Sequence, residues 1–290
     1  MTTKYNISEV SNLTGIPKDL LRMWERRYGY PCPQRDENGD RRYSQSEVEK
    51  LRLIRQLIDQ GKRPGKLVKL EPHALTALLS QPKAPLDITS FIRLLAESDD
   101  TAIRDWLHQQ LQHHGLREFI QHTLAPLTQA VGEAWANGEI AIHHEHLYTE
   151  VVKLILRKAL VDLPQTPDRP RIMLTTVPGE QHSLGLLMVE VLIRLSGAKP
   201  ISFGTEMPFQ EIKAAADYHQ VDVIALSFSK SFKGEDAIVM LSGLRQLIDP
   251  SIQLWAGGGA LKDQQYIPEG VEKLGDLSAI EKQLQQWDDN

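Results

Sequence analysis

Residues 172–185, IMLTTVPGEQHSLG, decide the architecture of this chain. From Ile172 to Val177 every residue is apolar or β-branched and none is charged, as in a strand covered on both faces. Pro178-Gly179 ends that run, and a helical segment opens after Ser183. Three more short apolar runs follow, 200–203, 221–228 and 252–256, each separated from the last by a helical stretch. Strands alternating with helices predict a parallel sheet with crossover helices, doubly wound and flavodoxin-like, whose ligands sit beyond the carboxyl ends of the strands. The loop after the first strand is therefore a candidate site. It carries His182, whose imidazole is a good axial ligand for a transition metal, and Glu180, a carboxylate placed to orient that ring. Gly185 would let a bulky group pass close to the backbone.

Upstream the rhythm differs. Between residues 87 and 161 apolar residues recur at helical spacing, as in Phe91, Leu94 and Leu95, then Ile103, Trp106, Leu107 and Leu111. Breaks at Ser98-Asp99-Asp100, Gly115 and Asn137-Gly138 divide this stretch into four helices, which predicts a four-helix bundle. Proline-bearing stretches at 81–86 and 163–170 are the candidate linkers. They divide the chain into a head (1–80), a bundle (87–162) and the parallel-sheet domain (170–290), a multi-domain α plus α/β protein with no internal repeat.

The head reads as a short helix over 7–13, a turn at Thr14-Gly15-Ile16-Pro17 and a second helix over 18–28 bearing Arg22, Arg26 and Arg27. Arg22 and Arg26 are four apart and share a face, as in a recognition helix that enters a major groove. Arginine there pairs bidentately with guanine or with phosphate. Residues 31–43 follow, with Arg35, Arg41 and Arg42 flanking the turn pair Asn38-Gly39, the pattern of a basic β-hairpin wing. A charge run alone commonly only solvates a helix, but this ordered combination is more specific.

The string LRMWERRYG (21–29), then Pro33, Arg35, Asn38-Gly39 and Arg41-Arg42-Tyr43, resembles the winged helix-turn-helix domain of the MerR family over about residues 4–75. That resemblance implies a dimer on a pseudo-palindromic promoter, read by Arg22, Trp24, Arg26 and Arg27 from the helix and Arg35, Arg41 and Arg42 from the wing. Tyr43 either packs the wing or touches phosphate. Family members commonly pair through a long helix after this domain; here Pro64 and Pro82 come early, which shifts dimerisation toward the body.

Glu180-x-His182-x-x-Gly185 resembles the cobalamin-binding signature in which a histidine displaces the cofactor's own base from cobalt. Ser227 and the run Gly257-Gly258-Gly259 match companion positions that line the cofactor's inserted tail. The family more often has Asp where Glu180 stands, and Glu preserves the carboxylate. Trp135, nine residues, then Glu145-His146 is the arrangement of the light-sensing cobalamin regulators of the CarH/LitR family, where these residues surround the upper adenosyl group. With head, bundle and sheet in the same order, the resemblance implies a repressor, dimeric or tetrameric, that holds adenosylcobalamin with His182 below cobalt. Light would break the cobalt–carbon bond and release the DNA. Some relatives carry a histidine after the tryptophan that captures cobalt after photolysis; here that residue is Ala136.

Composition bounds the alternatives. The net charge is -5, yet residues 1–70 carry 15 Lys and Arg against 9 Asp and Glu, leaving 18 against 29 beyond. A basic head on an acidic body still holds phosphate, because the attraction is local and screened beyond about 8 Å. Cys32 is the single cysteine, which excludes an intramolecular disulfide and an intrachain thiolate metal site. The lack of a leader-like start or a long apolar run predicts a cytoplasmic protein free of the membrane. No room remains for the barrel of about 250 residues that a cobalamin mutase or methyltransferase needs, so an enzyme is not expected. The surviving alternative keeps the architecture and answers a different signal or protein partner without cofactor. His143, His144 and His146 form a histidine-rich stretch of the kind that is more often solvated than metal-binding.

Overall fold

A computed structural model describes residues 4–37, 39–59, 62–79, 86–97, 99–163 and 168–288. Asn38 of the expected wing turn, Ser98 of the expected helix break, and residues 81–85 and 164–167 of the two expected linkers lie outside the described residues. The chain packs into two compact units, Met1–Phe91 with Asp105–Thr123, and Ile92–Arg104 with Leu124–Asn290.

In the first unit a short strand β1 (Lys4–Tyr5) leads into α1 (Ile7–Thr14) and α2 (Lys18–Tyr28). Asn6 caps α1, its Oδ1 accepting the N–H groups of Ser8 and Glu9, while Glu9 Oε2 accepts the N–H of Asn6 at 2.6 Å. This reciprocal pair satisfies donors that a helix start leaves open. The wing is β2 (Gln34–Arg35) and β3 (Arg41–Ser44), and the sheet order is β1-β3-β2. Then come α3 (Gln45–Asp59), α4 (Pro64–Leu67) and α5 (Pro72–Leu79). Val10, Leu21, Trp24, Tyr43, Leu51, Ile54 and Leu57 form one buried core under the helix-turn-helix.

The chain continues through α6 (Ile88–Glu97), α7 (Asp100–His114), α8 (Leu116–Phe119), a π turn (Ile120–Leu124), α9 (Ala125–Ala136) and α10 (Ile142–Asp162). The segment 116–136 is helical throughout, so among the described residues α6, α7, 116–136 and α10 lie in the four stretches expected to be helical. The π turn inserts one residue's worth of slack into the third of them. Thr128 and buried Tyr148 share a hydrogen bond of 2.8 Å that ties α9 to α10.

The sheet of the second unit contains β4 (Arg171–Thr175), β5 (Lys199–Ser202), β6 (Val223–Ser227), β7 (Gln253–Gly257) and β8 (Val271–Leu274). Helices α11 (Leu184–Leu195), α12 (Phe209–His219) and α13 (Gly234–Leu247) alternate with these strands, and α14 (Ser278–Asp288) follows β8. All neighbours are parallel and the order is β5-β4-β6-β7-β8, the doubly wound flavodoxin-like arrangement. The chain steps outward from β4 to β5 and then returns to the other side of β4 for β6. Loops that leave β4 and β6 therefore part at their carboxyl ends, and that crevice is where such folds bind ligands.

Candidate functional site

Glu180 occupies the crevice between β4 and β6. Its side chain is 1% exposed, and three donors converge on it. Oε1 accepts the His182 N–H at 2.9 Å and His182 Nδ1 at 2.7 Å; Oε2 accepts the N–H of Ser229, from the loop after β6, at 2.7 Å. Burial pushes this carboxyl up, but the hydrogen bonds from His182 and Ser229 outweigh burial and hold it below the usual carboxylate range. An ionised carboxylate only accepts, so the proton of the His182 ring sits on Nδ1 and Nε2 is the nitrogen left to bind a metal. The hydrogen bond to Glu180 raises the His182 pKa above its ordinary value against partial desolvation, helped by the charges of Glu180 and Glu145. The His182 side chain is 60% exposed, so its free edge faces outward from the loop.

Thr176 secures the loop from behind, in a role that the motif reading missed. Its hydroxyl donates to the Glu180 carbonyl and accepts the Glu206 N–H at 2.8 Å, pinning the loop after β4 to the loop after β5. Ser229 was missed as well; only a buried carboxylate two residues before a histidine hints that some donor must complete it.

Gly185, in the first turn of α11, faces Ser227 at the end of β6. A Cβ added there would lie 2.8 Å from Ser227 Oγ, so glycine sets how closely helix and strand approach. Gly257 ends β7, and Gly258 follows at φ +109, where an added Cβ would meet the Phe228 carbonyl oxygen at 2.1 Å. Only glycine serves at that position, and it shapes a side-chain-free cradle beside the crevice. A free imidazole nitrogen backed by a carboxylate, together with this cradle, is a donor set and shape that fit a corrinoid with an inserted tail.

From the helical side, Trp135 ends α9 and is 45% exposed, an unusual amount for a free indole. Glu145 and His146 open α10. Glu145 Oε2 meets His146 Nδ1 at 2.6 Å, and Oε1 accepts the Thr149 hydroxyl at 2.8 Å. The charge of Glu145 adds a small contribution to the raised His182 pKa, so its field reaches the ring. Two residues before Trp135, Glu133 accepts Lys230 Nζ at 2.8 Å, tying the end of α9 to the residue after Ser229. The rings of His143 and His144 lie 4.0 Å apart and tilted by 46°, and His144 Nδ1 accepts the Ala141 N–H. Among the described residues no group of three or more His, Cys, Asp and Glu is arranged to enclose a metal ion.

In the head, Arg22, Arg26 and Arg27 lie on α2 and Arg35, Arg41 and Arg42 on the wing strands. Arg22 pairs with Asp19 at 2.9 Å, Arg41 with Glu25 at 2.7 Å and Arg42 with Asp36 at 2.8 Å. Arg35 donates to the Gly39 carbonyl at 2.8 Å across the turn. The expected contact from Trp24 is corrected, and of the two places expected for Tyr43 the structure shows the packed one. Trp24 and Tyr43 are both 0% exposed, and neither the indole Nε1 nor the phenolic Oη has any access to solvent or a hydrogen-bond partner. Trp24 stands three residues after Leu21 on the apolar stripe of α2, opposite the arginines, and Tyr43 is the inward residue of β3. They hold the helix and wing together from inside, and phosphate does not reach them.

No helix among the described residues is long and apolar enough to cross a membrane. Residues 5–73 match the family of MerR HTH family regulatory proteins, and residues 87–159 match the B12 binding domain. The chain is 28% identical over 276 residues to the HTH-type transcriptional repressor CarH of Myxococcus xanthus, covering 91% of this chain and 92% of that protein. It is 27% identical over 259 residues to the repressor CarA of the same organism, covering 88% and 86%. Among solved structures, the monomethylamine corrinoid protein of Methanosarcina barkeri superposes with a TM-score of 0.55 at 14% identity, over 70% of this chain and 100% of that one; this likeness concerns the fold alone.

Proposed function

We propose, from a chain in which a MerR helix-turn-helix head precedes a B12-binding domain, that this protein is a transcriptional repressor whose grip on promoter DNA is set by cobalamin. The observation that carries the reading is the Glu180–His182 pair at the crevice of the parallel sheet, with Nδ1 committed to a carboxylate and Nε2 presented outward. A carboxylate behind a ligating histidine fixes its tautomer and raises its basicity, the standard outer partner of a metal ligand. His182 is the residue that would hold cobalt, through Nε2. Glu180, Thr176 and Ser229 keep the ring in place, Gly185, Ser227, Gly257 and Gly258 leave room for the inserted tail, and Trp135, Glu145 and His146 cover the other side.

Adenosylcobalamin is the form that this reading assigns, because it supplies a cobalt–carbon bond that light cleaves. The chain's part is to make the state of that upper position matter. Trp135, Glu145 and His146 sit on the helices and His182 on the loop after β4, so a group held between them biases the helices toward one placement through differential contacts. The arginines of α2 and the wing then read the DNA, in an oligomer that we assign as a dimer or tetramer. Ala136 carries no ligand, so the illuminated state lacks a histidine supplied from that position. The test is a gel shift with adenosylcobalamin in darkness and after illumination, paired with an absorbance spectrum of the washed protein. Retarded DNA in the dark and its release by light support the reading. A shift that neither cofactor nor light changes, or a protein that retains no corrinoid, overturns the sensor and leaves a promoter binder.

A further inference from the structure

The recognition helix carries Glu25 among its arginines, and the wing turn carries Asp36, Glu37 and Asp40. On a surface that approaches phosphate, a carboxylate is unfavourable unless it does something specific. Glu25 lies between Arg22 and Arg26 on α2, and its Oε2 accepts Nε of Arg41 from the wing at 2.7 Å; both side chains are 26% exposed. Asp36 Oδ2 accepts Nε of Arg42 at 2.8 Å, while its Oδ1 accepts the Asp40 N–H at 2.9 Å. The backbone of Asp36 pairs with that of Asp40 and Gly39, so this carboxylate is fixed by the turn itself. In both pairs the carboxylate takes the inner Nε–H. Among the described residues no hydrogen bond is made by Nη1 or Nη2 of either arginine, and those two nitrogens form the fork that grips guanine or phosphate. Arg22 is different: its Nη1 is held by Asp19, whose side chain is 93% exposed, a weak surface pair that DNA displaces easily.

We infer that Glu25 and Asp36 are positioning residues that aim the forks of Arg41 and Arg42, and that they set the preference of the head for its own operator over random DNA. This rests on the DNA-binding reading. Arginine has four rotatable side-chain bonds, and holding Nε fixes most of them before DNA arrives, so less freedom is lost on contact. Glu25 also spans α2 and β3, which sets the angle between recognition helix and wing. The two carboxylates add negative charge near phosphate, so they weaken contact with any duplex whose backbone alone is bound. Positioning and simple charge therefore predict opposite signs.

The probe is a 40-base-pair duplex selected by the full-length protein from a random pool, compared with unselected duplex of the same length. Glu25→Gln removes the charge and keeps the shape. Affinity for the selected duplex is expected to fall about tenfold, within the range of one well-placed arginine fork, while affinity for unselected duplex holds or rises. Asp36→Asn, on a surface turn, is expected to act in the same direction. In the Arg41→Ala background Glu25→Gln is expected to change selected-duplex affinity less than twofold, because its partner is gone. Thermal melting identifies any variant that has lost its fold, and the wing variant then carries the test. Equal gains on both duplexes, no change on either, or an undiminished effect without Arg41 overturn the inference. A wild-type protein that selects no sequence would instead refute DNA reading itself.

Discussion

Glu180→Gln probes the centre of the cofactor crevice with the smallest change of shape. The carboxylate accepts from His182 N–H, His182 Nδ1 and Ser229 N–H, and it is almost fully buried. A glutamine has one acceptor oxygen. With that oxygen toward His182, its NH2 faces the Ser229 N–H; turned around, it faces the donors of His182. Either way at least one hydrogen bond to a charged acceptor is lost, a contribution of about 1.5–3 kcal/mol. Relief from burying a charge offsets part of this, so we expect a net loss of about 1–3 kcal/mol near pH 6, read from urea denaturation of the cofactor-free protein. The pH dependence has a definite sign. Glu180 has a lowered folded pKa, so its contribution is present above the ordinary glutamate value of about 4.3 and is lost as pH falls through the folded value. His182 has a raised folded pKa, so its contribution is full below about 6.5 and is lost as pH rises through the folded value. The wild-type advantage is therefore widest between those limits and narrows on both sides. Cobalamin affinity is expected to fall by about 10–100-fold, as for other outer partners of a metal-bound histidine. A difference below about 0.5 kcal/mol at pH 6, with unchanged cobalamin binding, would refute the claim that this carboxylate holds the ligand.

Four further outcomes follow from other residues. Tyr43→Phe removes a buried hydroxyl that has no partner, so stability is expected to hold or rise and DNA affinity to stay within twofold; a large loss of DNA affinity would restore a phosphate contact. Trp24→Ala is expected to cost about 3–5 kcal/mol, losing DNA binding by unfolding the head, which circular dichroism will register. Gly258→Ala places a Cβ against the Phe228 carbonyl at a backbone angle that alanine resists, and thermal denaturation is expected to show a loss of about 1–3 kcal/mol. Lys230→Ala breaks an exposed ion pair with Glu133, so thermal melting is expected to change little and the difference to vanish in high salt.

The sheet was legible because its strands are uncharged apolar runs, and β4, β6 and β7 fall within two residues of those runs at each end. Helix α2 has its predicted limits because Pro17 and Gly29 bracket it. β1 and β8 escaped the reading. β1 is two residues long, and β8 reads VEKL, an edge strand whose charges hide its pairing with β7. The Glu180–His182 pair was visible because its partners are two residues apart in sequence. Ser229 and Thr176 act through a backbone N–H and a hydroxyl brought in by the fold, for which no local pattern exists. Trp24 follows Leu21 by three residues on the buried stripe of α2, a spacing that the arginines on either side of it mask in the sequence. Tyr43 was legible in principle from its alternation with Arg42 on β3.

Histidine ligation is tested most directly by electron paramagnetic resonance of the protein loaded with cob(II)alamin after growth on 15N-histidine. If His182 Nε2 binds cobalt, each cobalt line splits into a doublet from one 15N, and His182→Ala abolishes that doublet. A triplet from 14N in the wild-type protein would mean that the cofactor keeps its own base, contradicting the account.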